Sequence, residues 1–438
     1  MKIRYFIPII CLLIFSCQRD RIPKMEPVDL NLNLSYASEE LNGKLELNTA
    51  KVTVTNLSTK VRSTYSPQDA AVSIENLKPG NYDIDASITI SKEQYTQVTG
   101  LETAEDVTFN VSFKKYNLIR STTLALELVA GTVGDFVIKQ VYYAGSDQKN
   151  GALYRDQFFE IQNNTDRILY ADSLYFGRIY GRQSITTDKE HYQPNGQLDW
   201  SKSENMTMGN EANTDYVYLR DLFMIPGDGQ TYPIDPGKSI VIAQNALNHK
   251  VPFVGNNGVE TPIRDPELTV DLSKATFETY FGDIPGKKPF ASDINNLDVP
   301  NVEVLDYVAN DWILDNPGRD GYVIFKRSSR EEVLALKNYV VPSLKPPAAS
   351  EKTYRQLPVS WIMDALEIQP NTASSRLPKK LGPSQDAGFS FVPLGAYSSQ
   401  AVIRKTEENN NGVIKLKDTN NSTEDFVFIK ANPFGFAN

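Results

Sequence analysis

The chain has 438 residues, 45 Lys+Arg against 54 Asp+Glu, a formal charge of −9, two cysteines and two histidines. At about 100 to 200 residues per domain this length predicts two or three domains, which excludes a small disulfide scaffold. The acidic balance argues against a nucleic-acid surface, which needs clustered cations. A hydrophobic content of 40%, with 20 Phe and 22 Tyr, belongs to a folded chain and not a disordered one.

Lys2 and Arg4 precede an apolar run from Tyr5 to Ser16, and Cys17 follows directly. The run is too short for a hydrocarbon core that needs about 20 residues, so it is expected to be a signal h-region. Ile14-Phe15-Ser16-Cys17 resembles a bacterial lipobox. The resemblance implies that residues 1–16 are a lipoprotein signal peptide and that Cys17 carries lipid on its sulfur. The competing reading is an ordinary secretory signal cut elsewhere, and no A-x-A site lies nearby. On the lipoprotein reading Cys11 leaves with the signal, so no free thiol remains for zinc, catalysis or a disulfide. Loss of Lys2 and Arg4 takes the charge from −9 to −11. Residues 17–27 are expected to form a polar tether. No later segment approaches 18 apolar residues, which makes the lipid the expected membrane attachment. Asp20 stands alone where some exported lipoproteins carry an acidic cluster, and both the periplasmic and the surface face fit.

From Val28 to about residue 116 apolar and polar residues alternate, as in Leu30-Asn-Leu-Asn-Leu, Val52-Thr-Val-Thr, Val72-Ser-Ile and Ile84-Asp-Ala-Ser-Ile-Thr-Ile. Period two gives each strand one buried and one wet face, the pattern of a sandwich. In Leu77-Lys-Pro-Gly-Asn-Tyr82, Pro79 pre-sets φ and Gly80 permits a positive φ, which predicts a tight turn, and Tyr82 is placed to plug the sandwich edge. This L-x-P-G-x-Y element, after Val52-Thr-Val-Thr-Asn-Leu57, resembles transthyretin-like or carboxypeptidase-regulatory-like modules, in which it is structural.

Leu124 to Val129 is either a last strand of this module or the start of the next. Strands are expected at Phe136 to Gly145, Gln157 to Thr165, Arg167 to Phe176, Ser239 to Ala243, Glu303 to Val308, Gly321 to Phe325 and Ala401 to Lys405. Long polar or Gly/Pro-punctuated segments between them, Gly181 to Asp228, Pro252 to Asn301 and Pro342 to Gly388, are expected to be loops, functional or mobile. Helices are expected only at Leu272 to Tyr280, capped by Asp271, and at Arg330 to Leu336. Phe158-Phe-Glu-Ile-Gln-Asn-Asn-Thr, Tyr232 to Ala243 with its P-G turn, Ala401-Val-Ile-Arg404 and Asp418 to Phe426 resemble a lamin-tail type immunoglobulin-like domain. The whole stretch 130–438 resembles a Bacteroidetes-type lipoprotein family, domain of unknown function 4876. D-T-N-N-S-x-x-D-F near the chain end is the most specific piece. The resemblance implies an outer-membrane lipoprotein of nutrient-uptake or envelope context and brings no catalytic residues. The expected fold is therefore mainly β: two immunoglobulin- or transthyretin-like β-sandwich domains, at 28–116 and 130–438, the second with long loop insertions and few short helices.

Catalytic signatures are incomplete. Gly237-Lys238-Ser239 ends like a phosphate loop, but Tyr232 stands where that loop needs glycine and the strand follows instead of preceding; it reads as a turn. Gly227-Asp-Gly229 lacks the third glycine of a dinucleotide fingerprint. Ser146-Asp-Gln-Lys149 matches S-x-x-K without companion motifs. His191 and His249 have no distinguishing acid-and-serine context, and a metal site would have to unite them. Glu160 and Asn163 are candidate acid groups whose ordinary reading is tying down neighbouring backbone. Asp418, Asn420, Asn421, Glu424 and Asp425 form an oxygen-rich cluster read either as Asx turns or as a Ca²⁺ site. Tyr192, Trp200, Tyr216, Tyr218 and Phe223 crowd into Gly181 to Asp228 beside Asp, Asn and Ser. They read either as anchors that fold the segment down or as a platform for a glycan or peptide.

The functional expectation is a binding or accessory module with no catalytic residue and no cofactor. It would be anchored to the outer membrane by lipid and partnered by an outer-membrane transporter of the TonB-dependent kind. A hydrolase with an unrecognised carboxylate site and a purely structural envelope protein are the alternatives.

Overall fold

The computed structural model describes residues 26–100, 106–131, 134–410 and 412–437. The signal peptide, Cys17 and most of the tether lie outside the described residues.

The first module is built from β1 (Val28–Tyr36), β2 (Lys51–Asn56), β3 (Arg62–Tyr65), β4 (Ala71–Leu77), β5 (Gly80–Ile90), β6 (Val107–Leu118) and β7 (Thr122–Ala130), hydrogen-bonded in the order β3-β2-β5-β6-β7-β1-β4. Alternation drives each strand: Leu30, Leu32, Leu34 and Tyr36 of β1 and Tyr82, Ile84, Ala86, Ile88 and Ile90 of β5 all point into one core. Strands β6 and β7 pair only at Phe109 with Ala130 and Asn110 with Val129, after which β7 runs parallel to β1. At that corner the sheet turns back on itself, and its two halves share the core. The Leu124 to Val129 run is thus the last strand of the first module, which extends beyond residue 116. Tyr82 is buried and its hydroxyl donates to the Lys78 carbonyl at 2.6 Å. The positive φ falls on Asn76 (59°) and not on Gly80. A helix absent from the sequence reading, α1 (Lys92–Thr99), starts with the Ser91 hydroxyl accepting from Gln94 N and ends on Gly100 at φ 73°.

The second module stacks two sheets. One has the order Phe277–Glu278, Ser239–Ala243, Phe158–Asn163, Phe136–Tyr142, Gln400–Arg404 and Phe426–Lys430. The other is centred on Leu174–Ile179 and Gly321–Lys326, with Ile362–Glu367, Tyr216–Leu219, Leu222–Met224, Glu303–Asp306, Thr353–Pro358 and Asn338–Val340 around them. Between the sheets Phe159, Ile161, Ile240 and Ile242 meet Phe176, Phe223, Tyr322, Ile324 and Leu366. Phe176 stacks on Phe159 at 5.8 Å and on Phe223 at 5.1 Å, and Trp312 closes the cluster edge-on.

The strands Phe158–Asn163 and Leu174–Ile179 are buried along their whole length. Segments expected to be loops cover them. Val270, Leu272, Ala275 and Val299 pack on the outer face of the first sheet. Within Gly181 to Asp228 lie Tyr216–Leu219 and Leu222–Met224, and within Pro342 to Gly388 lie Thr353–Pro358 and Ile362–Glu367. Leu272 to Tyr280 is not a helix. Asp271 caps an Asx turn by accepting from Ser273 N at 2.9 Å, and Phe277–Glu278 pairs parallel with Ser239–Ala243. The second expected helix is present as Arg330–Leu334, capped by Ser329.

Candidate functional site

The aromatic cluster expected in the Gly181 to Asp228 segment folds inward. Trp200 and Tyr218 are only 4% and 1% exposed and stack on each other at 3.6 Å. The Tyr218 hydroxyl lies 3.0 Å from the Ala212 carbonyl and accepts from Gln356 Nε2 at 3.1 Å. Tyr354 stacks on Tyr180 at 3.9 Å beside them, and Phe223 belongs to the intersheet core. Tyr192 and Tyr216 are half-buried and pack against the same cluster. The Tyr192 ring face is covered by the Arg182 guanidinium at 3.9 Å. With their faces occupied by protein, Trp200, Tyr218 and Tyr192 correct the expectation of an open aromatic platform.

The oxygen cluster near the chain end is organised around a buried cation. Arg404 donates from Nη2 to Asp364 Oδ2 at 2.6 Å and from Nη1 to Asp418 Oδ1 at 3.0 Å, and Asp425 lies at 3.7 Å. Asp425 also accepts from Thr419 N at 2.9 Å and Asn421 N at 3.2 Å. Burial pushes the Asp425 carboxyl up against the pull of Arg404. Glu424 turns away and pairs with Arg62 of the first module, while Asn420 is buried where Gly131 passes. A Cβ on Gly131 would meet Asn420 Nδ2 at 2.4 Å, so any larger residue there would have to displace the Asn420 side chain. Of the four residues in the Ca²⁺ reading, Asp418, Asn420, Glu424 and Asp425, the guanidinium stands beside Asp418 and Asp425, while Glu424 faces Arg62. Among the described residues no three His, Cys, Asp or Glu side chains are grouped to hold a metal ion.

The remaining candidates are structural. Glu160 is fully buried, 2.9 Å from Lys139 Nζ, and accepts from Ser239 Oγ at 2.6 Å and Gln140 Nε2 at 3.1 Å. Asn163 Nδ2 donates to the Arg167 and Ile234 carbonyls at 2.7 and 2.9 Å. Ser146 Oγ accepts from Ala152 N at 2.7 Å, while Lys149 is exposed. His249 is buried against Phe253, and burial lowers it to about 3; His191 sits by Pro342. Gly237, at φ 68°, turns the chain into Ser239–Ala243.

A site absent from the sequence reading lies between the modules. A groove of about 1100 Å³ has one wall made by the outward faces of β2, β3, β5 and β6. The same period two that buries Val52, Val54, Ile84 and Ile88 turns Thr53, Thr55, Asp85 and Ser87 toward the groove. The opposite wall comes from the second module: Arg376, Phe389, Phe391, Thr419, Thr423 and Glu424. The Arg376 guanidinium lies 4.7 Å from the Phe389 ring and 5.0 Å from the Phe391 ring, and Nε donates to the Pro370 carbonyl at 3.2 Å. Asp85 accepts from Lys114 Nζ and Ser112 Oγ, each at 2.6 Å, and Asp83 accepts from Lys115 N at 2.8 Å. Burial opposes the Glu424 charge, but Arg62, Lys417 and Lys405 hold its carboxyl below the usual range.

Three contacts set the groove's width. Asn110 Nδ2 donates to the Thr419 carbonyl at 2.8 Å, Lys115 Nζ donates to the Arg376 carbonyl at 3.2 Å, and Arg62 pairs with Glu424. The sequence carried a weak signal for one wall, in the threonines alternating with Val52 and Val54. It carried none for the other, where Phe389-Ser390-Phe391 follows the third long segment.

Fold and site together define a two-module β-sandwich protein with a polar groove between the modules. Residues 235–433 match the model of the family described as protein of unknown function (DUF4876). The match begins well inside the second module and not near residue 130. A DUF4876 family protein from Bacteroides thetaiotaomicron shares the fold, with a TM-score of 0.52 and 22% identity over 94% of this chain and 98% of that one. A putative cell adhesion protein from Parabacteroides distasonis is far more distant, at TM-score 0.15 and 10% identity over 54% of this chain and 88% of its own. No curated protein matches the chain.

Proposed function

We propose that this chain is a lipid-anchored binding protein of a bacterial outer membrane, with the groove between its modules as the ligand site and a TonB-dependent transporter as its membrane partner. One observation carries the ligand-binding part: a concave site of about 1100 Å³, walled by both modules and lined by hydroxyl, charged and aromatic side chains. Ligand sites are typically concave, roughly 300 to 1000 Å³, and favour the junction of domains. Cys17 supports the anchor, because a thiol directly after an apolar signal run accepts lipid chains that hold a protein at a bilayer. Among the described residues the groove's carboxylates are engaged by Lys114, Arg62 and backbone, which favours binding over hydrolysis.

Two experiments test this reading. Cys17→Ser should shift the protein from the detergent-rich membrane fraction to the aqueous one; retention with the membrane would refute the anchor. A glycan and peptide array probed with the native chain and with the Phe389→Ala, Phe391→Ala double variant should show signals that the variant loses. Signals indifferent to both rings would place the ligand elsewhere.

A further inference from the structure

We propose that the ligand of the groove is an acidic polysaccharide, bound through its carboxylate or sulfate groups by the cations of the two walls and through its hydroxyls by the threonine rows of the first module. This rests on the groove being the ligand site, and it adds the ligand's chemistry.

The first argument is charge. The chain has 45 cationic against 54 acidic residues, yet the groove reverses that balance, with six cations, Lys51, Lys60, Arg62, Lys114, Arg376 and Lys417, against Asp83, Asp85 and Glu424. All three carboxylates are already engaged, Asp85 by Lys114, Glu424 by Arg62 and Asp83 by the Lys115 backbone. Lys51, Lys60 and Arg376 have no carboxylate within ion-pair distance among the described residues. A cationic concavity in an acidic protein concentrates the local field on an anion and repels little that the rest of the surface would attract.

The second argument is presentation. Arg376 is not a loose surface side chain: two rings and the Pro370 carbonyl hold it, and its Nη groups remain for a planar anion. A fixed guanidinium fork suits bidentate contact with a carboxylate or sulfate and loses little entropy on binding.

The third argument separates a sugar from an acidic peptide. Peptides that add to a sheet pair with the free backbone of its edge. Here β2 and β5 offer their face, so their backbone groups are spent in the sheet and side chains do the binding. Those side chains are Thr53, Thr55, Ser87 and Thr89, whose hydroxyls both donate and accept, as sugar hydroxyls do.

The test is calorimetric titration of the chain with oligogalacturonate and with chondroitin sulfate, and with fully methyl-esterified oligogalacturonate and poly-glutamate as counterparts. At least one acidic glycan should bind about tenfold or more tightly than the neutral ester and than poly-glutamate, and more weakly as salt is raised. Lys51→Glu and Arg376→Gln should each weaken that binding by roughly tenfold with unchanged melting temperature. Lys51 is exposed, so its variant keeps the test valid if Arg376→Gln folds poorly. Equal binding of the neutral ester, lost in the Phe389→Ala, Phe391→Ala variant, would overturn the acidic-ligand inference and leave the groove as a glycan site. Equal binding of poly-glutamate would overturn the sugar assignment. Failure of every glycan, acidic and neutral, would overturn the inference, and groove-dependent signals on the array from peptides alone would show that the binding reading survives it.

Discussion

Arg404→Ala should be among the most damaging single substitutions in the second module. The side chain is fully buried and meets four segments: Ile138 O at 2.9 Å, Asp364 at 2.6 Å, the adjacent Lys417 O and Asp418 at 3.0 Å each, and the Phe426 ring at 4.7 Å. Removing one partner of a buried ion pair costs about 3 to 5 kcal/mol, because the other charge stays behind without compensation. Here two nearly inaccessible carboxylates, Asp364 and Asp425, would be stranded. At roughly 2 to 4 °C per kcal/mol the melting temperature should fall by about 6 to 20 °C. The loss should depend on pH. Burial already pushes Asp364 and Asp425 up to about 7 with Arg404 in place, and loss of the cation raises them further. A carboxylate whose folded pKa exceeds its unfolded value of about 3.9 favours folding at low pH, and that contribution disappears as pH rises through the folded pKa. The deficit should therefore be largest near pH 8 and shrink toward pH 5. Thermal and urea unfolding of both proteins at the two pH values measures it. A deficit below about 1 kcal/mol, or one equal at both pH values, would refute the reasoning. Millimolar Ca²⁺ should leave native melting unchanged; a rise of several degrees would restore the metal reading of Asp418, Asn420, Glu424 and Asp425.

Trp200→Ala should cost about 3 to 5 kcal/mol in urea denaturation, because it removes the ring stacked on Tyr218 from a closed cluster. Native stability combined with lost ligand binding would contradict its place as a folding anchor. Asp293→Asn should stabilise the chain by about 2 kcal/mol near pH 8 and less near pH 5, measured by melting across that range. Burial and the neighbouring Asp311 push Asp293 up to about 8, with Glu278 and Asp283 adding repulsion, so its ionisation opposes folding increasingly as pH rises from the unfolded value of about 3.9 to the folded one. The amide can still accept from Phe281 N, which now donates to the carboxylate at 3.0 Å.

The parts of the fold legible in the sequence are those in which one face of a strand is wet. Leu30-Asn-Leu-Asn-Leu and Ile84-Asp-Ala-Ser-Ile announce both the strand and its inward side, and Tyr82 announces its plug. Legibility falls in the second module because its strands are covered on both faces. Tyr216–Leu219 and Thr353–Pro358 pair with each other from two segments that looked like loops, since neither alternates strongly and their partners lie far apart in the chain. The aromatic crowding around Trp200 was visible, but its direction was not, because a stacked core pair and an exposed platform have the same composition. The groove was least legible of all. Its walls come from residues 49–114 and 371–424, and Lys51 and Arg376 acquire a common role only once Asn110 and Thr419 fix the two modules together.

The middle of the first sheet of the second module has a consequence for how the chain must come together. Phe136–Tyr142 is flanked by Phe158–Asn163 on one side and by Gln400–Arg404 on the other, and Arg404 reaches back to the Ile138 carbonyl. Nearly the whole chain therefore has to emerge from the ribosome and from any export channel before this sheet can close. Contacts of such separation make folding slow, with apolar strand edges exposed during the wait. A fragment cut at residues 235–433 would contain Ser239–Ala243 and Gln400–Arg404 without the two strands that join them. Expressed alone it should aggregate, and holdase chaperones should be needed for the intact chain.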